Sequence, residues 1–330
     1  MNMVRRELIL KSIVMIAITV VLLSAAPVKA DLTSASIDEI AYYRQGIPET
    51  LSNSPDYAWW YGCSPTSAGM MMGYYDINGY QSLIYDNLVP GGTAEPETFV
   101  GPPTGGSALA NQAIASAGHI TDYYSGANGA SGDDLPAAPT HSFNSLADFM
   151  GTSQDLYSNP NGSTVFGYWP NGDPVYEASS GAGEGMYGVG QYVEYAGYDA
   201  ATLYNQLIPG VADLLWFDNH GNPIYESNEN GFTFDNYMTE IDAGRPVMIQ
   251  VAGHSMFGYG YDEGISDLVY VHDTWGLGGG TMTWGGSYAG RLHYGVMVLE
   301  ITGGVVPVPA AVLLGILGLG VVGIKLRRFA

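Results

Sequence analysis

Val247-Met248-Ile249-Gln250-Val251, then Gly253-His254-Ser255-Met256-Phe257-Gly258-Tyr259-Gly260-Tyr261, then Leu268-Val269-Tyr270-Val271-His272-Asp273 is the stretch from which the rest of this 330-residue chain is read. β-Branched and aromatic residues dominate all three runs, which suits a pleated, packed surface. The glycines of the second run permit close backbone approach. Asp262 to Asp267 supplies turn residues between the second and third runs, so the pattern predicts an antiparallel hairpin. With Tyr261 opposite Leu268, His254 falls opposite Trp275. Asp273 shares the parity of Trp275 and faces the same side as His254, while His272 faces away. Side chains alternate with a period of two, so a slip of one residue would reverse this assignment. A last strand, Tyr294 to Ile301, completes the sheet.

Upstream, Phe232 to Ala243 reads as a helix closed by Gly244, with Phe234, Met238 and Ile241 inward. Further back lies Trp59-Trp60-Tyr61-Gly62-Cys63-Ser64-Pro65-Thr66-Ser67-Ala68-Gly69-Met70, which holds the only cysteine. Ser64 suits an N-cap and Pro65 the first helical position, where a missing N–H leaves no bond unmade. Ala68, Met71, Met72 and Tyr75 then recur at helical spacing. This sets Cys63 just before a helix N-terminus, where unpaired N–H groups and the positive dipole end favour a thiolate. A free cysteine is more often a small buried hydrophobe. A lone one, with no bridge to make, in a chain that carries an export signal has reason to be chemical.

The rest of the chain is less informative. Residues 31 to 62 are expected to wrap over the surface, and Asp76 to Gly79 to form a turn. Val89 to Thr104 and Ser125 to Pro139 read as loops. Ser107 to Ala117 and Asn144 to Gly151 read as short helices, the first ended by Gly118 and the second burying Leu146, Phe149 and Met150. Tyr157 to Gly190 is rich in Gly, Asn and Tyr and fits either an ordered insertion or a flexible one. Asp199 to Leu207 reads as a helix before Pro209. Asp218 to Asn222 has oxygen-bearing residues at close spacing but lacks a twelve-residue calcium loop, so an ordinary turn is expected. His119, His141, His220, His272 and His293 have no Cys or His neighbours at ligand spacing. No metal and no cofactor are expected.

The two ends carry signals. Arg5, Arg6 and Lys11, the apolar run Ile13 to Leu23 and Val28-Lys29-Ala30 have the form of a secretory signal over residues 1–30. Pro307-Val308-Pro309 precedes an apolar run, Ala310 to Ile324, and then Lys325, Arg327 and Arg328. That run is short for a spanning helix, and its basic cluster would stay cytoplasmic. Of 10 Lys and Arg, only Arg44, Arg245 and Arg291 lie between these ends, against 32 acidic residues of which only Glu7 lies in them. Nucleic acid and anionic lipid are therefore not expected as partners, since phosphate binding needs clustered cations.

Three blocks carry a resemblance. Gly62-Cys63-Ser64-Pro65-Thr66, Gly253-His254 with Gly258-Tyr259-Gly260-Tyr261, and Asp273-Thr274-Trp275-Gly276 resemble the motifs of papain-like cysteine peptidases, especially the bacterial branch that includes double-glycine leader peptidases. The resemblance implies an α+β fold with a nucleophile helix packed on an antiparallel sheet. It implies that Cys63 is the nucleophile, His254 the general base and acid, and Asp273 the group that orients the imidazole. Trp275 would shield the His–Asp hydrogen bond, and the Cys63 N–H with a side-chain donor would hold the oxyanion. The family places a Gln about six residues before the cysteine. Here Tyr57 stands there, with Asp56, Trp59 and Trp60 around it.

The C-terminal order of motif, apolar run and basic tail resembles the PEP-CTERM sorting signal of Gram-negative bacteria, with Val308 where that motif has Glu. This resemblance implies an exosortase-type processing enzyme as a partner. The expectation is thus a signal peptide over 1–30, a peptidase domain over 31–303 with Gly/Tyr-rich insertions, and a sorting tail over 304–330. The protein would act on a peptide or protein substrate at the cell surface, with membrane contact only through the tail. Two other readings use the same residues: a catalytically inactive surface or matrix binding protein, and an acyltransferase or amidase.

Overall fold

The computed structural model describes residues 48–89, 109–126, 141–211, 216–217, 223–224, 230–265 and 267–303. The expected signal peptide, the sorting tail, most of the two long loops and the turn at 218–222 lie outside them. Among the described residues no helix is long and apolar enough to cross a membrane.

In chain order the elements are β1 (Glu49–Thr50), α1 (Cys63–Asn78), α2 (Leu109–Ile114), α3 (Ala117–Thr121), α4 (Leu146–Phe149), β2 (Val175–Tyr176), α5 (Gly185–Tyr195), β3 (Asp199–Leu207), β4 (Trp216–Phe217) and β5 (Pro223–Ile224). There follow α6 (Phe234–Asp242), β6 (Val247–Val251), β7 (His254–Asp262), β8 (Leu268–His272), β9 (Gly280–Thr283), β10 (Ser287–Tyr288) and β11 (Arg291–Thr302). The fold is α+β, and its main sheet runs β2-β3-β11-β6-β7-β8-β9, with β1 added to β7 and β10 to β11. Every pairing in it is antiparallel.

Each face of the sheet packs against helices. On one side α1 covers Met248, Phe257, Met297 and Leu299. On the other α6 covers Val247, Ile249, Met256, Val269, Val296 and Val298. The successive residues Met70, Met71 and Met72 are all fully buried. Each contributes about 1.5–3 kcal/mol by leaving water, so α1 is the central helix of the molecule rather than an amphipathic one.

The sequence reading of the chain needs several corrections. Asp199–Leu207 is a strand, not a helix, and its buried residues alternate. Gly118 does not end a helix but lies inside α3, which Ser116 caps through the His119 N–H. The chain before α1 does not lie on the surface: Pro55, Tyr57 and Ala58 are buried. The Gly- and Tyr-rich region is ordered and contains α5.

The hairpin register also differs. Tyr261 pairs with Val269, and Asp262 with Leu268. A bulge at Tyr259 then absorbs one residue, so that Gly258 pairs with Val271 and Phe257 with His272. Beyond the bulge the register is the expected one, and it carries His254 to Trp275, whose ring stacks on the imidazole at 4.1 Å.

Candidate active site

Helix α1 begins at Cys63 itself, with Gly62 as its cap residue. The cysteine is therefore in the first turn, two positions deeper than the sequence suggested, since Gly62 and not Ser64 is the cap residue. Thr66 fixes this start: its hydroxyl donates to the Gly62 carbonyl at 2.6 Å and accepts from the Trp60 N–H at 3.0 Å. Gly62 is required by a close approach of two backbones. A Cβ there would stand 2.9 Å from the Gly162 carbonyl oxygen. The adjoining residue Tyr61 has φ of 55°, in the sparsely populated left-handed region that costs energy for a bulky side chain.

A line of polar side chains ties this helix start to the sheet. The Ser255 hydroxyl donates to Gln250 Oε1 at 2.7 Å, which leaves its oxygen to accept from Ser64 Oγ at 2.8 Å. Ser64 follows Cys63 and Ser255 follows His254, so one hydrogen bond brings the two chain positions together. The side chains themselves diverge. Ser255 and Phe257 face α1, whereas His254, by alternation and with its partner Val251, lies at the end of the other face. Among the described residues no hydrogen bond reaches the half-buried Cys63 sulfur. Catalytic hydrogen bonds are commonly long in a resting site and tighten when substrate binds.

His254 is held firmly. It is 6 % exposed, its ring lies against Trp275, and its Nε2 hydrogen-bonds to the Asp273 main-chain carbonyl at 2.5 Å. A carbonyl only accepts, so Nε2 carries the proton and Nδ1 has the free lone pair. Burial pushes the imidazole pKa below its usual value, opposed by the Asp273 carbonyl and by the Asp273 charge. The ring is therefore neutral at neutral pH, as an acceptor of a thiol proton must be.

The Asp273 carboxylate has other partners. One oxygen accepts from the Trp275 N–H at 2.9 Å and the other from the Tyr288 hydroxyl at 2.6 Å. The expected orienting residue thus acts on His254 through its backbone, while its carboxylate braces the turn in which Thr274 has φ of 63°. Trp275 stacks on the imidazole, but the expected hydrogen bond between the His254 and Asp273 side chains, which it was to shield, is not formed. Arg291 lies 5.8 Å from the centre of the Trp275 ring.

Tyr57 is not at the site. It is fully buried, and its hydroxyl lies where a Cβ on Gly73 would be 2.6 Å away. Gly73 is ten residues along α1 from Cys63, about 15 Å at the helical rise. The expected side-chain oxyanion donor is absent from this position because the chain before α1 turns inward to pack.

His272 faces away from His254, stacked on Tyr259 at 4.2 Å, and its Nδ1 lies 3.3 Å from Asp56 Oδ1. This His–Asp pair joins the segment before α1 to β8. Two residues carried no signal in the sequence: Tyr294 in β11, whose hydroxyl lies near enough to Cys63 for negative charge there to raise its pKa, and Tyr168, whose ring meets that of Tyr294 edge to face at 5.4 Å. A β-bulge beside Tyr294 was the missing information. Among the described residues no cluster of His, Cys, Asp and Glu has the form of a metal site.

No protein-family model, curated protein or solved structure matches the chain.

Proposed function

We propose that the chain is an exported papain-like cysteine peptidase in which Cys63 attacks a peptide carbonyl and His254 carries the proton. The observation that carries this reading is the Ser64–Ser255 hydrogen bond, 2.8 Å long, which couples the first turn of the cysteine helix to the strand that begins with His254. The helix N-terminus favours the thiolate. The neutral imidazole, with Nδ1 unprotonated, is the base, and it returns the proton to the leaving amine. The acyl-enzyme is then hydrolysed by water. The acidic surface and the sequence at both ends fit export and surface retention through a processed tail.

A second reading is a surface binding protein on the same fold without catalysis. It is favoured by one observation: the Asp273 carboxylate is engaged by Tyr288 and Trp275 rather than by His254. Alkylation of the purified protein by iodoacetamide across pH separates the two. The peptidase reading requires Cys63 to react well below the ordinary thiol pKa near 8.5 and His254→Ala to abolish that behaviour. A Cys63 that reacts only after unfolding, or identically in both proteins, leaves the binding reading.

A further inference from the structure

We propose that the Tyr294 hydroxyl is the side-chain donor of the oxyanion hole, reaching the Cys63 reaction centre from β11. This rests on Cys63 being the nucleophile and names the group that the Tyr57 position does not supply.

Ser255 in β7, Gln250 in β6 and Gly295 in β11 form one row across three strands. At about 4.8 Å per strand, the row spans about 10 Å, and Ser64 of α1 sits on its first member. The register of β11 against β6 breaks between His293 and Gly295, which places Tyr294 in a bulge at the end of this row. Bulges re-aim a side chain, and they concentrate beside active sites. Here the bulge turns Tyr294 toward the α1 face: it meets Tyr168, whose ring lies 2.7 Å from where a Cβ on Gly295 would point. Gly295 has no Cβ to exclude that ring.

The electrostatics agree with the placement. Burial raises the Tyr294 pKa to about 12, and negative charge at Cys63 acts in the same direction, so the two groups share one local field. The Tyr168 hydroxyl is buried without a well-formed hydrogen bond and lies close enough to favour charge on Tyr294. A phenol that stays protonated at neutral pH, backed by a second buried phenol, is a donor pair prepared for an anion. Both are neutral in the resting state, so the pair does not compete with the thiolate for the helix dipole.

In the reaction the Cys63 sulfur forms a bond to the carbonyl carbon, and the π pair moves onto oxygen. That oxyanion accepts hydrogen bonds from the Cys63 N–H and from Tyr294. When it collapses, the carbon–leaving-group bond breaks, the leaving group departs with the proton held by His254, and a thioester remains.

The test needs no knowledge of the natural substrate. p-Nitrophenyl acetate acylates a thiolate through a tetrahedral oxyanion, whereas iodoacetamide alkylates it by displacement at a saturated carbon and forms none. Both rates are measured on the full mature protein, on Tyr294→Phe, which keeps the ring packing, and on Tyr168→Phe, with Cys63→Ala as the blank. The expected result is an acylation burst slowed about a hundredfold in Tyr294→Phe, as when one oxyanion donor is removed elsewhere. Tyr168→Phe should be slowed less, and alkylation unchanged in both. Acylation of Tyr294→Phe at the unsubstituted rate overturns the role while leaving the nucleophile in place. Equal loss of both rates overturns it too, because Tyr294 would then act on the thiol. A protein without any burst, whose thiol alkylates like free cysteine, overturns the nucleophile and this role together.

Discussion

Replacing Asp273 by Asn separates two ways in which an acid can serve a histidine. Where a triad carboxylate holds the imidazole directly, the same replacement costs about 10⁴ in rate, which is about 5.4 kcal/mol at 1.36 kcal/mol per decade. Here the bond to His254 Nε2 comes from the Asp273 main-chain carbonyl at 2.5 Å. An asparagine at this position would keep that carbonyl, the tautomer and the ring orientation. What it removes is the charge that the Tyr288 hydroxyl and the Trp275 N–H donate to, at 2.6 and 2.9 Å. Hydrogen bonds to a charged group contribute about 1.5–3 kcal/mol each, and neutral ones about 1 kcal/mol. The amide keeps one acceptor oxygen for the two donors, so the expected loss of stability is about 2–4 kcal/mol.

The assay is twofold: the urea midpoint of Asp273→Asn, and its rate of acylation by p-nitrophenyl acetate. The expected outcome is a clear fall in the midpoint with less than about a tenfold fall in rate. The negative charge of Asp273 raises the His254 pKa, so its removal should also move the histidine limb of the rate profile to lower pH. A thousandfold loss of rate in a protein that remains folded would refute the reasoning and restore the carboxylate as the orienting group.

Two further outcomes follow from buried side chains. His293 is fully enclosed, and burial pushes its pKa down to about 3, against about 6.5 in the unfolded chain. It is neutral when folded and charges on unfolding, so it favours the fold above pH 6.5 and loses that contribution as pH falls toward 3. Between pH 7 and pH 5 the loss is about 2 kcal/mol, to be read as the difference in urea midpoints between the unsubstituted protein and His293→Gln; equal pH dependence in the two would contradict it. Tyr57→Phe should leave the acylation rate unchanged, because its hydroxyl stands at Gly73 and not at Cys63; a tenfold fall would return Tyr57 to the site.

The sequence was legible where one period dominates and illegible where two coincide. β6 is Val247–Val251, as its unbroken β-branched run implies. In β3 the apolar residues Leu203 and Leu207 are four apart, a spacing that both a helix and a strand satisfy. The residue that would have decided between them, Asn205, is polar. Its side chain is buried between the two leucines only because its amide donates to the Gly167 carbonyl at 3.1 Å and to Glu184 at 2.8 Å. Helix α5 was hidden for a different reason. Gly185, Gly188 and Gly190 lower its intrinsic propensity by about 1 kcal/mol each, yet a Cβ at Gly188 would come within 2.2 Å of the Phe149 carbonyl oxygen. Tertiary contact selects the glycine that local propensity rejects.

The candidate site shows the same division. Local pattern placed Cys63, His254 and Trp275 near element boundaries that caps, turns and alternation announce, while the roles expected of them came from the motif resemblance. It could not locate Tyr294, nor the bulge at Tyr259, because a bulge adds one residue without changing composition. The two bulges nevertheless have opposite consequences for the reading. At Tyr259 the extra residue cancels an error at the turn, so that Phe257 meets His272 and His254 comes under Trp275 as parity requires. At Tyr294 it turns a side chain that alternation would have assigned to the α6 face toward the cysteine helix. Strand parity is therefore a sound guide to a site only between bulges. Of the three register shifts in this sheet, one, at Glu300/Ile301, lies at the far end of β11. Those at Tyr259 and Tyr294 lie within a few residues of the chemistry, where close fitting of groups from three strands to one helix terminus is most demanding.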